Sequence, residues 1–177
     1  MIVYRDKLSG DEMLSDGYKL EPVLDNEGAP IPGLMQCASQ LISKSGDVDI
    51  GCGNEFGGNA DDDGPVDNSE KVNNVIDAFQ YTETSMSTAT DLKSFLKEYM
   101  NKIRQHMRDK GKPKEEIQAF MATAPGIAKY LVSHFNDLQF FYGPSFNIDT
   151  MVYAIYHEGA LTPNFLYIMA GYDQEKF

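Results

Sequence analysis

Apolar residues recur through the middle of the chain at steps of three and four. Leu92, Phe95, Leu96, Tyr99, Met100, Ile103 and Met107 form one stripe, and Ile117, Phe120, Met121, Ala124, Ile127, Ala128, Leu131, Val132 and Phe135 form a second. This spacing gathers apolar side chains on one face of a 3.6-residue helix, so the pattern predicts two amphipathic helices within 91–135. Thr90 offers an N-cap oxygen, Asp91 suits the positive end of the helix dipole, and Gly111 can close the first helix. Pro113 fits the first turn of the second helix, and Pro125 is expected to kink or split it. The short Gly111-Lys112-Pro113 link implies an antiparallel helical hairpin.

Outside the hairpin the pattern changes to short apolar runs. Ile2-Val3-Tyr4, Tyr18-Lys19-Leu20 with Val23-Leu24, Val72 to Phe79, Leu138 to Tyr142, Met151 to Tyr156 and Phe165 to Met169 read as strands. Pro22 assigns the second of these to a sheet edge, because proline has no N–H for a ladder. Ser9-Gly10-Asp11, Asn26-Glu27-Gly28 and Pro30-Ile31-Pro32-Gly33 carry turn chemistry, and the last two strands flank a hairpin connection over 157–163. Residues 46–70 are rich in Gly, Asn and Asp and read as a long flexible acidic loop. Strands, loop, helical hairpin and strands again define an α+β chain, mostly antiparallel, with helices inserted. Its 177 residues are expected to form a single domain without internal repeats.

Charge refines this picture. The chain carries 15 basic and 27 acidic side chains, a net charge of −12, which disfavours nucleic-acid and anionic-membrane partners. Its 42% apolar and 11% aromatic content supports a packed globule, and no apolar run is long enough to span a membrane. The charge is strongly polarised. Lys93, Lys97, Lys102, Arg104, Arg108, Lys110, Lys112 and Lys114 face only Glu98 and Asp109 in the same stretch, a local net charge of +6. Residues 47–70 contain eight carboxylates and no Lys or Arg. Such a basic helical face is either simply solvated or a docking site for an acidic surface or tail.

Catalytic signatures are absent: there is no GxSxG, HExxH or phosphate-loop pattern, and His106, His134 and His157 fall in separate elements. Cys37 and Cys52 alone cannot close a structural zinc site, and with a start that turns polar by its fifth residue they fit a reduced, cytoplasmic chain. No cofactor is required by these patterns. Residues 59–70 do match a twelve-residue calcium loop in part. Asn59, Asp61, Asp63, Asp67 and Glu70 supply oxygens at positions one, three, five, nine and twelve, and Gly64 stands at six. The flanks are not convincingly helical, so the segment is either a solvated acidic loop or a weak Ca²⁺ site.

MIVYRDKLSGDEMLSD at the start, FGGNADDDGP at 56–65, FLKEYM at 95–100 and QFFYG at 139–143 resemble the translationally controlled tumour protein family, in order along the whole chain. The resemblance implies a β-tent core with an inserted α-helical hairpin and a flexible acidic loop. It also implies a cytoplasmic, non-enzymatic regulator of growth and survival whose partners include a small GTPase of the Ras/Rheb type, translation elongation factor, tubulin and anti-apoptotic Bcl proteins. Glu12 matches the acidic residue linked to GTPase contact, where a carboxylate would compete for the nucleotide-site Lys or Mg²⁺; the alternative is a turn-capping acid. The hairpin of 91–135 matches the tubulin-linked region, with Lys93, Lys97, Lys102, Arg104, Arg108 and Lys110 as its docking cations. Asn59, Asp63 and Asp67 fall where the family's calcium oxygens lie. This chain departs from the family in carrying Asp61 and Asp63 where Ser and Glu are usual, and in lacking the terminal Cys of some animal members; a monomer is expected. Leu20 to Asp25 keeps an LxxxLD pattern of a proposed Bcl-binding helix, against which Pro22 argues. A β-tent is similar to that of methionine sulfoxide reductases, but the CxxC pairs common in those enzymes do not occur here.

Overall fold

The computed structural model describes residues 1–43 and 71–177. The calcium-loop residues Asn59, Asp61, Asp63, Asp67 and Glu70, the acidic loop of 46–70 and Cys52 lie outside them.

Three antiparallel sheets are present among the described residues. The largest has six strands in the order β3 (Leu20–Leu24), β4 (Pro30–Ala38), β10 (Asn164–Ile168), β9 (Val152–Ile155), β8 (Leu138–Tyr142) and β7 (Thr82–Thr84). A second sheet places β1 (Ile2–Asp6) between β2 (Glu12–Ser15) and β11 (Tyr172–Lys176). The third pairs β5 (Leu41–Ser43) with β6 (Lys71–Asn73), bringing Ser43 opposite Lys71. Among the described residues there are three α-helices: α1 (Asn74–Phe79), α2 (Ala89–Asp109) and α3 (Lys114–Ser133).

Both faces of the six-stranded sheet are covered. Phe140, Tyr153, Leu166 and Ile168 point to one face and pack against Leu92, Leu96, Ile103, Ile127 and Leu131 of the helical hairpin. Their neighbours Phe141, Val152, Ala154, Phe165 and Tyr167 point the other way, onto Met13 and Leu14 of β2, Val75 of α1, Tyr81 and Tyr172. This is why β9 and β10 read as unbroken apolar runs: with two covered faces, the period of two no longer separates apolar from polar positions.

The hairpin follows its sequence closely. The α2 stripe buries Leu92, Leu96, Tyr99, Met100, Ile103 and Met107, each worth about 1.5–3 kcal/mol of gross hydrophobic transfer, while Phe95 is half-buried. The helix starts two residues earlier than expected: Thr88, not Thr90, is the N-cap, and its hydroxyl accepts from the Asp91 N–H at 3.1 Å. Gly111 closes α2 at φ +72°, with its N–H bonded to the Arg108 carbonyl and the Lys112 N–H to that of Met107, a Schellman arrangement. Pro125 does not split α3, which runs continuously from Lys114 to Ser133. Phe120, Ala124, Ile127 and Leu131 are buried on both sides of the proline, and their packing outweighs a local cost of about 3 kcal/mol.

Two other readings require correction. Pro30-Ile31-Pro32-Gly33 opens β4 rather than forming a turn; a register break opposite Pro22 and Leu24 and a positive φ of 84° at Gly33 let the strand bend beneath α3. A Cβ at Gly33 would sit 3.2 Å from Ile127 Cδ1 and 3.3 Å from Thr123 Oγ1. Residues 72–79 split into the last two residues of β6 and a helix, because Asn73 Oδ1 accepts from the N–H groups of Val75 and Ile76 and caps α1. The LxxxLD segment is strand β3 at the sheet edge, as Pro22 demands, and not a helix.

Candidate functional site

Glu12 opens β2, immediately after the turn that leaves β1. Asp6, at 2% exposure, organises that turn: its Oδ1 accepts from the N–H groups of Leu8 at 2.7 Å and Ser9 at 3.0 Å, and its Oδ2 accepts from the Thr150 hydroxyl at 2.5 Å. Burial pushes the Asp6 carboxyl pKa upwards, and the bonds from Thr150, Ser9 and Leu8 oppose this only in part. Asp11 Oδ2 accepts from both the N–H and the hydroxyl of Ser145, tying the turn to the loop after β8. Within the turn the side-chain caps are Asp6 and Ser9, whose hydroxyl oxygen accepts from the Asp11 N–H at 3.2 Å. Glu12 instead meets Arg5 across the ladder, Nη2 to Oε1 at 3.2 Å, with its side chain 51% exposed. Arg5 also donates to the Gly10 carbonyl and to Glu175.

The backbone beneath Glu12 is held firmly. The Tyr81 hydroxyl donates to the Met13 carbonyl and lies 2.8 Å from the Tyr167 hydroxyl; because Tyr81 spends its one proton on Met13, Tyr167 is the donor between them. Gly143 faces the same turn so closely that a Cβ would lie 2.7 Å from Met13 Sδ and 2.8 Å from Asp11 Oδ2. In front of Glu12 is an open depression of about 340 Å³, bordered by Arg5, Asp11, Phe79, Gln80 and Pro144 among others.

The six docking cations expected on the hairpin do not form one patch. Arg104 and Arg108 line a groove of about 730 Å³ near the hairpin tip, together with Lys112, Lys114, Ile117, Gln118, Met121 and Ala122. Arg104 Nε is buried there with no hydrogen-bond partner. Lys93 and Lys97 border a separate, more apolar groove of about 310 Å³ floored by Met100, Met121, Ala124, Pro125 and Ala128. Lys102 points elsewhere and pairs with Asp149 at 2.6 Å, and Lys110 is exposed at the α2 C-cap without lining either groove. Lys112 and Lys114 complete the tip, and the apolar floor comes from α3. Counting charges along α2 cannot find that floor, since it depends on which α3 residues face α2.

Among the described residues no group of three or more His, Cys, Asp or Glu side chains is placed to hold a metal ion. Cys37 is buried, donates to the Ala38 carbonyl, and has its thiol pKa pushed up to about 11 by burial, which suppresses the thiolate. His134 packs against Tyr130 in a tilted arrangement with ring centroids 4.2 Å apart, while His157 is exposed in the β9–β10 connection. No described helix is long and apolar enough to cross a membrane.

The fold and these surfaces define the class first: an α+β domain with a doubly covered antiparallel sheet, an inserted helical hairpin, and its chemistry displayed on the outside. The sequence profile of the translationally controlled tumour protein family matches residues 1–173, and the chain belongs to that family. It is 32% identical over 178 residues to the translationally-controlled tumor protein homolog of Schizosaccharomyces pombe, covering 100% of both chains. The homolog from Micrurus fulvius is 33% identical over 181 residues, with 99% of each covered. The solved S. pombe structure superposes with a TM-score of 0.70 at 29% identity, covering 100% of both chains. The solution structure of the Caenorhabditis elegans protein gives 0.63 at 19% identity, covering 100% of this chain and 99% of the other, and supports the fold alone.

Proposed function

We propose that this protein is a non-enzymatic, cytoplasmic regulatory binding protein of the family's type, linked to growth and survival. Its Glu12 face contacts a small GTPase of the Ras/Rheb type, and its basic hairpin docks acidic partners such as tubulin tails or translation elongation factor. The observation that carries the GTPase reading is the half-exposed Glu12 carboxylate, held on a rigid turn beside an open depression and countered by Arg5, whose side chain is 34% exposed. An exposed ion pair of this kind contributes about 0–1 kcal/mol, so a partner's cation displaces Arg5 at little cost. A carboxylate offered to the nucleotide-site Lys or Mg²⁺ would weaken their hold on GDP.

The experiment measures release of a fluorescent GDP analogue from a purified Ras/Rheb-type GTPase with wild-type protein and with Glu12→Val. Faster release with wild type and basal release with Glu12→Val is the expected result. Equal rates for both proteins refute the GTPase reading.

A second reading, weak calcium binding, rests on the oxygen spacing of Asn59, Asp61, Asp63, Asp67 and Glu70. Amide shifts at those residues in several millimolar Ca²⁺ are its signature, and unchanged shifts exclude it.

A further inference from the structure

The two hairpin grooves adjoin, because Met121 lines both. The groove beside Lys93 and Lys97 in turn shares Lys93, Pro125 and Ala128 with a third cavity of about 500 Å³, which runs on to Lys129 and Val132. Together they follow the seam between α2 and α3, from Lys93 to Arg108 on one helix and from Lys114 to Val132 on the other. At about 1.5 Å per residue the seam is roughly 23–27 Å long. Its floor is apolar, with Ile117, Met121, Ala128 and Val132 left half-buried.

The rims are basic. Lys93, Lys97 and Lys129 border one end, Arg104, Arg108, Lys112 and Lys114 the other, and no described carboxylate lines any of the three cavities. Among the described residues none of these cations is in an ion pair, whereas Lys102, off the seam, has Asp149. Two polar groups along the seam also lack their usual partners. Arg104 Nε is buried without an acceptor, and a carboxylate brought from outside would supply the guanidinium with one. Pro125 has no N–H to give the Met121 carbonyl, so the α3 ladder misses a rung at the residue where the two grooves meet.

We infer that the seam between α2 and α3 is a docking groove for an acidic amphipathic helix of a partner protein. This rests on the reading of the hairpin as a dock for acidic partners and names the form that the partner takes. A helix with apolar residues at steps of three and four lays its stripe on the floor, while carboxylates on both flanks of the stripe reach the two basic rims. An extended acidic tail would meet the cations and leave the floor wet. A flat anionic bilayer would meet the cations and not reach a floor recessed between two helices.

The test is a fluorescence-anisotropy titration of the full chain with three labelled peptides of about 18 residues, long enough to span the seam. One carries Leu at steps of three and four among Glu and Ala, one has the same composition with the leucines dispersed around the helix, and one is all Glu. Wild type should bind the striped peptide at least about tenfold more tightly than either control. Lys93→Glu and Arg108→Glu, at opposite ends of the seam, should each weaken it about tenfold, and Lys102→Glu by no more than about threefold. Met121→Gln should weaken the striped peptide and leave its salt dependence unchanged. Thermal melts accompany every variant; Lys93 and Arg108 are exposed, so their variants carry the test if Met121→Gln melts lower. Equal binding of the striped and all-Glu peptides overturns the helix and leaves docking of acidic tails standing. No binding of any peptide overturns both readings, and retention on phosphatidylserine vesicles in that case assigns the seam to a lipid surface. Striped-peptide binding that emerges only when Asp61, Asp62 and Asp63 are all changed to Asn also overturns it, the occupant then being the chain's own carboxylates.

Discussion

Gly171 lies where the helical hairpin meets the small sheet, and replacing it with alanine tests how α2 is docked. A Cβ built there would stand 1.9 Å from the Tyr99 hydroxyl oxygen and 3.1 Å from Tyr99 Cζ, against the 3.4 Å at which ordinary contact begins. Tyr99 is a rigid, buried ring on α2, flanked by Ile103, and the Gly171 carbonyl accepts from the Lys7 N–H at 2.8 Å. Neither side can yield alone, so either the ring tilts out of its packing or the β1 seam opens. Overpacking of this kind costs about 1–3 kcal/mol, and the severity of the overlap places Gly171→Ala at the upper end, about 2–3 kcal/mol. In a domain of this size that is a fall in Tm of roughly 4–12 °C. Tyr99→Phe removes the hydroxyl and leaves only the 3.1 Å approach, which a small shift relieves. By itself it should cost about 1 kcal/mol as a lost hydrogen-bonding group. The double variant should then be more stable than Gly171→Ala alone, with a coupling of at least about 1 kcal/mol in a double-mutant cycle measured by urea unfolding. Gly171→Ala within about 0.5 kcal/mol of wild type, or additive single variants, would refute the packing argument.

Asp6→Asn tests the buried turn carboxylate. Because burial raises the folded pKa above the ordinary value of 3.8, the stability this group contributes is complete below 3.8 and is lost as pH rises through the folded value. Wild type should therefore lose stability relative to Asp6→Asn over that rise, and urea midpoints that stay parallel from pH 4 to 7 contradict it. Tyr81→Phe leaves the Met13 carbonyl without its donor and should cost about 1–3 kcal/mol, with faster hydrogen exchange in β2; unchanged exchange and Tm would show the bond to be dispensable. Charge reversal at Arg104 and Arg108 together should weaken binding to tubulin tails more than reversal at Lys102, which is already paired with Asp149. Equal effects would mean the hairpin acts through net charge and not through its tip groove.

The helical hairpin was legible because a stripe at steps of three and four is a local property, and its Schellman closure at Gly111 needs only neighbouring residues. The edge position of β3 was legible for the same reason: Pro22 removes a donor wherever the strand lies. The strands at Glu12–Ser15, Thr82–Thr84 and Tyr172–Lys176 were not, since they are short and largely polar and exist only because distant partners complete their ladders. Alternation along β9 and β10 was likewise silent about which side chains face the hairpin, because both faces are buried. Glu12 and the basic stretch of α2 could be named from the chain. Tertiary packing alone divided those cations between two grooves and a bridge to Asp149, and tied Asp11 beside Glu12 to Ser145 in the loop after β8. Periodicity and caps are short-range physics that a sequence carries by itself, whereas a surface is assembled from residues far apart in the chain and exists only once the core has brought them together.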